Sequence, residues 1–227
     1  MKTEITGDFL PVLTCFLEKG EKICTQNGGM SWMSDSFEMN TSTNGGLLTG
    51  IGRAFAGETI FMNTYTCTED SGEIAFSSSF PGQIMEYDLE EGKSLICQKK
   101  AYLCGETTIK TEMSFRKKVG AGFFGGEGFI MQKISGSGKA FFEIDGNIVK
   151  KELKENEVLK LDNGYVVLMT EDVNLDITTV KGVKNMVFGG EGIFLTTLKG
   201  PGTVWLQTMP VSKLAATLGR YLPGYSG

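Results

Sequence analysis

The sequence predicts an all-β body built from three imperfect tandem copies of one unit, with a short helix near its C-terminal end. Three observations carry that reading. A glycine-centred motif recurs with its register intact, short alternating segments are separated by turn signals, and helical periodicity is missing until the last residues. The clearest recurrence sets Phe124-Gly125-Gly126-Glu127-Gly128-Phe129-Ile130 against Phe188-Gly189-Gly190-Glu191-Gly192-Ile193-Phe194. The register continues, so that Gly136-Ser137-Gly138 falls on Gly200-Pro201-Gly202, and Ala140-Phe141-Phe142-Glu143 on Val204-Trp205-Leu206-Gln207. A fainter copy has the same skeleton at Phe55-Ala56-Gly57-Glu58-Thr59-Ile60-Phe61. After a short insertion, Gly72-Glu73-Ile74-Ala75-Phe76-Ser77 falls on residues 138–143.

The front halves of the copies correspond as well. Asn27-Gly28 precedes Met33 as Asn163-Gly164 precedes Met169, and Trp32-Met33, Tyr102-Leu103 and Leu168-Met169 occupy similar places. The copies run over 4–88, 89–146 and 147–210, followed by a tail at 211–227. The apolar stretch 9–17 reads as a strand, and residues 73–77, 159–161 and 174–178 alternate polar with apolar as half-buried strands do. Asn44-Gly45, Asp145-Gly146 and Asn163-Gly164 are strong hairpin signals. In the tail, alanines and leucines over 211–221 predict a short helix before Pro223. Short strands with regular turn signals imply a sandwich or barrel. Each copy is too small for a good core, so the three bury their apolar faces on one another in one compact pseudo-threefold domain covering 1–227, with no linker between copies.

Composition narrows the chemistry. The chain has 227 residues, 31 of them glycine against 5 prolines, which suits tight turns and bulges. Its net charge of −5 opposes a sequence-independent grip on phosphate backbones, so nucleic acid is not the expected partner. The basic runs Lys99-Lys100, Arg116-Lys117-Lys118 and Lys150-Lys151 read as solvated strand ends and turns. Five cysteines, none in C-x-x-C spacing, fit a reducing, cytoplasmic setting better than a disulfide framework or a zinc ribbon. No signal peptide is visible, and no run reaches the roughly 18 apolar residues of a membrane span.

The sequence contains no histidine. That removes the usual general base near neutral pH, the Ser-His-Asp and Cys-His arrangements, and His-based metal sites. No catalytic residue, metal site or cofactor is assigned. The remaining candidates are the recurring Gly57/Glu58, Gly126/Glu127 and Gly190/Glu191. Structurally, the glycines permit a bulge whose exposed amides the glutamate accepts. Functionally, three converging carboxylates would suit a hard cation. The structural reading is preferred, because duplication alone explains the repetition.

Several other patterns carry less. Gly120-x-Gly122-x-x-Gly125 matches a dinucleotide fingerprint, but a strand follows where a helix is required. Gly92-Lys93-Ser94 resembles the end of a phosphate loop, with Tyr87 where a glycine is needed. The run 120–128 reads as a bent buried strand in preference to a sticky loop. Cys97 and Cys104 read as buried thiols in preference to activated ones.

At Asn27-Gly28-Gly29-Met30, Leu95-Ile96-Cys97-Gln98-Lys99, the two Phe-Gly-Gly-Glu-Gly copies and Tyr221-Leu222-Pro223, the sequence resembles the altered inheritance of mitochondria protein 24 family. The resemblance covers nearly the whole chain. It implies a jelly-roll-like fold, a double-stranded β-helix, grouped with the tryptophan RNA-binding attenuation proteins, and it implies self-association, with a trimer favoured. Mitochondrial relatives are linked to inner-membrane organisation, and the family has no established catalytic residues. The function expected is therefore a non-enzymatic, self-associating β scaffold that binds a protein or a small molecule. The alternatives are an RNA- or polyanion-binding module by fold analogy, and an enzyme using carboxylates or lysine.

Overall fold

The computed structural model describes residues 1–26, 28–43, 61–117, 129–162, 164–179, 194–219 and 221. Those residues form strands β1 (Lys2–Thr6), β2 (Val12–Glu18), β3 (Lys22–Gln26), β4 (Trp32–Met33), β5 (Phe37–Thr43), β6 (Phe61–Cys67) and β7 (Ser71–Ser77). The chain continues through β8 (Gly82–Leu89), β9 (Ser94–Gln98), β10 (Tyr102–Glu106), β11 (Lys110–Lys117), β12 (Phe129–Ser135) and β13 (Gly138–Asp145). It ends with β14 (Ile148–Leu153), β15 (Val158–Asp162), β16 (Val166–Thr170), β17 (Asn174–Thr179), β18 (Phe194–Lys199), β19 (Gly202–Gln207) and helix α1 (Val211–Gly219). The fold is nearly all-β, as the alternation and turn signals imply.

Four antiparallel sheets result. The first has order β1-β2-β7-β4, the second β5-β6-β3-β10-β13-β8, the third β11-β12-β9-β16-β19-β14 and the fourth β15-β18-β17. Adding six to each label of the second sheet reproduces the third. The sheets stack in the same order. Leu13, Cys15, Ile74 and Phe76 of the first sheet share a core with Ile23, Tyr65, Cys104 and Phe141 of the second. On the other face of the second sheet, Cys24, Tyr102 and Phe142 meet Cys97, Leu168 and Trp205 of the third. Ile96, Met131 and Met169 then meet Ile177 and Leu198 of the fourth.

This layering explains the strand patterns. The inner strands β9, β10 and β16 are buried at four successive positions, because both faces of their sheets are covered. Their sequences, such as Val-Val-Leu-Met in β16, are therefore apolar runs without alternation. In the outer first sheet, β2 buries Leu13, Cys15 and Leu17 and leaves the intervening residues half-exposed. Adjacent Phe141 and Phe142 are both fully buried and enter different cores. Burying a side chain of this size stabilises by about 1.5–3 kcal/mol.

Two turn expectations are corrected. Asp145-Gly146 and Asn163-Gly164 do not close hairpins. The first joins β13 of the second sheet to β14 of the third; of the second only Gly164 is among the described residues, and it lies between β15 of the fourth sheet and β16 of the third, which do not pair. Gly146 and Gly164 have φ of 76° and 91°. A corner that crosses between sheets needs a positive φ as much as a type I′ hairpin does, so the dipeptide alone does not distinguish them. Asn44-Gly45 lies outside the described residues. The strand expected at 9–17 begins at Val12, because Phe9 and Leu10 are exposed.

Candidate functional site

The recurring pairs Gly57/Glu58, Gly126/Glu127 and Gly190/Glu191 lie outside the described residues, and so does the run 120–128. In sequence each pair stands shortly before β6, β12 or β18. The strand expected after the dinucleotide-like pattern is present as β12, which removes the helix that such a site requires.

The cysteines are inert by burial. All five are free and buried. Loss of solvent pushes the Cys97 thiol up to about 12, and burial also raises Cys24 and Cys104. Among the described residues no group of three or more cysteines and carboxylates is placed to hold a metal ion.

The most displaced carboxyl is Asp145, raised to about 6 by burial and secondarily by Glu143, with the Val211 amide and Lys100 opposing. It caps the start of α1 through that amide. Its backbone is held too, the N–H by Gln207 Oε1 at 3.1 Å and the carbonyl by the Met209 N–H at 3.1 Å. Glu143 accepts from the Ser78 hydroxyl at 2.9 Å and the Phe80 amide at 3.1 Å, and also from the Ser79 amide. Both carboxyls are thus committed to fixing chain corners.

Two shallow clefts offer little more. One, of about 310 Å³, contains Ile96, Met131 and Glu171, and the other, of about 740 Å³, contains Phe16, Glu21 and Ser34. Two of the carboxylates there are already engaged, Glu171 by Lys133 at 2.5 Å and Glu21 by the N-terminal ammonium at 2.8 Å. Several lysines among the described residues are paired with carboxylates. Lys139 pairs with Glu86 and Asp88, and Lys150 with Glu152 at 2.9 Å. No helix among the described residues is long and apolar enough to cross a membrane.

What stands out is a pair of sheet edges. Inside the chain, β3 pairs with β10 and β9 pairs with β16, each time joining two three-stranded halves into a six-stranded sheet. By the same order β15 and β4 should be joined, but among the described residues each ends its sheet. The equivalence of these edges is fixed by register. Cys104 lies opposite Thr25 and Phe141, Leu168 opposite Cys97 and Trp205, and Trp32 opposite Ala75.

A side-chain lock lies two residues further on in all three places. Ser34 Oγ accepts the Glu73 N–H at 3.2 Å, Glu106 Oε2 that of Lys139 at 3.1 Å, and Thr170 Oγ1 that of Thr203 at 3.1 Å. By their pairings Cys104-Gly105, not Tyr102-Leu103, takes the place of Leu168-Met169, and each strand carries a bulge just before it. Sequence comparison could find the equivalence, but only the pairing pattern exposes the open edges. Cys104 and Leu168 are 0% exposed and Met169 4%, whereas Trp32 is 50% and Met33 37% exposed.

Comparison with known proteins agrees with this architecture. Residues 3–209 match the family model described as mitochondrial biogenesis AIM24. An uncharacterised protein of Streptococcus pyogenes serotype M6 is 31% identical over 222 residues, covering 94% of this chain and 87% of that protein. The X-ray crystal structure of a Streptococcus pyogenes protein superposes with a TM-score of 0.78 at 27% identity, over 97% of this chain and 99% of that one.

Proposed function

The chain belongs to the mitochondrial biogenesis AIM24 family, and from that premise we propose that it is a non-enzymatic β scaffold, made of three copies of one six-stranded unit, that associates with further copies of itself. The observation that carries the proposal is the open sheet order. Two joints between three-stranded halves are made within the chain, and the two halves of a third joint are left at opposite ends of the stack. The copies in this reading are β2–β7, β8–β13 and β14–β19. The first boundary thus moves from Asp88/Leu89, at the end of β8, to the connection before it. In each copy the chain changes sheet at most of its turns, which supports a double-stranded β-helix in the jelly-roll manner. The trimer implied by the family resemblance is the stoichiometry we adopt. Five free thiols favour a reducing compartment such as the cytoplasm.

The site chemistry supports a scaffold over the alternatives. The displaced Asp145 serves a chain corner, the thiols are buried, and Lys139 and Lys150 are paired with carboxylates. The test is native mass spectrometry of protein from a mild lysate. A discrete multiple of the chain mass with nothing added is the expected result. A stoichiometric small-molecule or metal mass would replace the scaffold with a ligand-binding protein.

A further inference from the structure

We infer that Cys15 and Cys104 form a buried dithiol that closes to a disulfide in exchange with a small-molecule disulfide, and so staples the first sheet to the second. The two thiols come from facing sheets. Cys15 lies on β2 opposite Ile74, and Cys104 lies on β10 opposite Thr25 and Phe141. Both are 0% exposed and belong to the core between those sheets. The Cys104 thiol is hydrogen-bonded to that of Cys15 across it.

The other thiols are directed elsewhere. Cys24 and Cys97 belong to the core on the other face of the second sheet. Cys24 donates to the Gly105 carbonyl at 3.3 Å, and Cys97 is hydrogen-bonded to Gln132. Cys67 donates to the Glu69 carbonyl at 3.4 Å. Duplication does not explain the pair. Leu17, Leu89 and Leu153 lie opposite the corresponding glycines Gly72, Gly138 and Gly202, so Cys15 corresponds to Tyr87 in the next copy. Cys104 corresponds to Leu168 by its pairings. One layer on, the same two places are thus held by Tyr87 and Leu168, which meet in the core between the second and third sheets. The facing thiols belong to the first layer and not to the repeat.

The surroundings suit the bond. Burial raises the Cys104 thiol, because an apolar core disfavours the thiolate. A disulfide carries no charge and suits such a core. Neither thiol is open to a reagent in the folded protein, so the bond forms as the chain folds or when the first sheet opens. One protein thiolate attacks the small disulfide and releases one small thiol. The second attacks the resulting mixed disulfide and releases the other. Two protein thiols are oxidised, one small disulfide is reduced, and the two protons pass to the released thiolates. In a reducing compartment the pair stays a dithiol, and in an oxidising one it becomes a cross-link. The cross-link restricts the unfolded chain, the more so because it joins residues far apart in sequence.

The test refolds the full chain from denaturant in a mixture of oxidised and reduced glutathione, alkylates the remaining thiols and maps the linked peptides by mass spectrometry. A Cys15–Cys104 bond is expected, with Cys24, Cys67 and Cys97 alkylated. In an unfolded chain the shorter loops Cys15–Cys24 and Cys97–Cys104 close more easily, so the expected bond reports the native packing. The oxidised protein should unfold at a higher denaturant midpoint than the same protein after reduction. Cys104→Ala should show neither the link nor that difference. If Cys104→Ala does not fold, the wild type compared before and after reduction decides alone. Alkylation of every thiol, a bond through Cys24, Cys67 or Cys97, or a link that leaves the midpoint unchanged would overturn the inference.

Discussion

Trp32 lies directly opposite Ala75 in the β4·β7 pair, and half of its surface is exposed. The equivalent pairs, Cys104 with Phe141 and Leu168 with Trp205, are covered by a neighbouring sheet. One sheet position thus occurs three times along the chain, twice inside a finished joint and once at a free end.

That difference gives opposite expectations for the same kind of substitution. Trp32→Lys alters a surface that the isolated chain leaves open, so its unfolding free energy should change by within about 0.5 kcal/mol while assembly is lost. Leu168→Ala empties a fully buried site and should cost about 2–5 kcal/mol. Denaturant titration beside mass measurement separates the two. A strongly destabilised Trp32→Lys would show that the residue packs within its own chain.

Two glycines of positive φ should differ in their tolerance of a methyl group. Gly136 has φ of 111°, and a Cβ there would lie 2.2 Å from the Thr108 carbonyl oxygen, whereas Gly92, at φ of 80°, faces open space. Gly92→Ala should cost about 1–2 kcal/mol for the left-handed backbone alone. Gly136→Ala adds a displaced backbone and should exceed it by about 1–3 kcal/mol. Equal losses in thermal or denaturant unfolding would contradict this.

Asp145 should make stability depend on pH. Its pKa rises from 3.8 unfolded to about 6 folded, so the folded state holds the proton more tightly. The resulting stability is complete below about pH 4 and is lost as the pH rises through about 6. Asp145→Asn retains an acceptor for the Val211 amide and cannot ionise. Its stability should fall less than that of the wild type between pH 4 and 7. Parallel profiles for the two proteins would show that Asp145 is solvated.

None of the five cysteines should react with Ellman's reagent in the native protein at mildly alkaline pH, and all five should react in denaturant. A rapidly reacting native thiol would reopen the redox reading of Cys97 and Cys104.

The sequence makes the strand content and the repeated glycines legible, because turn and close-contact positions restrict residue type strongly. Gly138 and Gly202 have positive φ and sit against Glu106 and Thr170. Sheet order is less legible. Asp145-Gly146 carries the hairpin signal and yet turns a sheet-to-sheet corner. The open edge is not legible at all, since Trp32-Met33 and Leu168-Met169 have the same apolar character and differ only in what lies beside them. The glutamates Glu58, Glu127 and Glu191 drew attention by repetition, which duplication produces whether or not they act together.

The most direct measurement is light scattering of the wild-type protein and Trp32→Lys through a dilution series. The wild type should show a stable multiple of the chain mass, three under the proposed stoichiometry, and the variant a folded monomer. A monomeric wild type at every concentration, or an assembly that Trp32→Lys leaves intact, would contradict it.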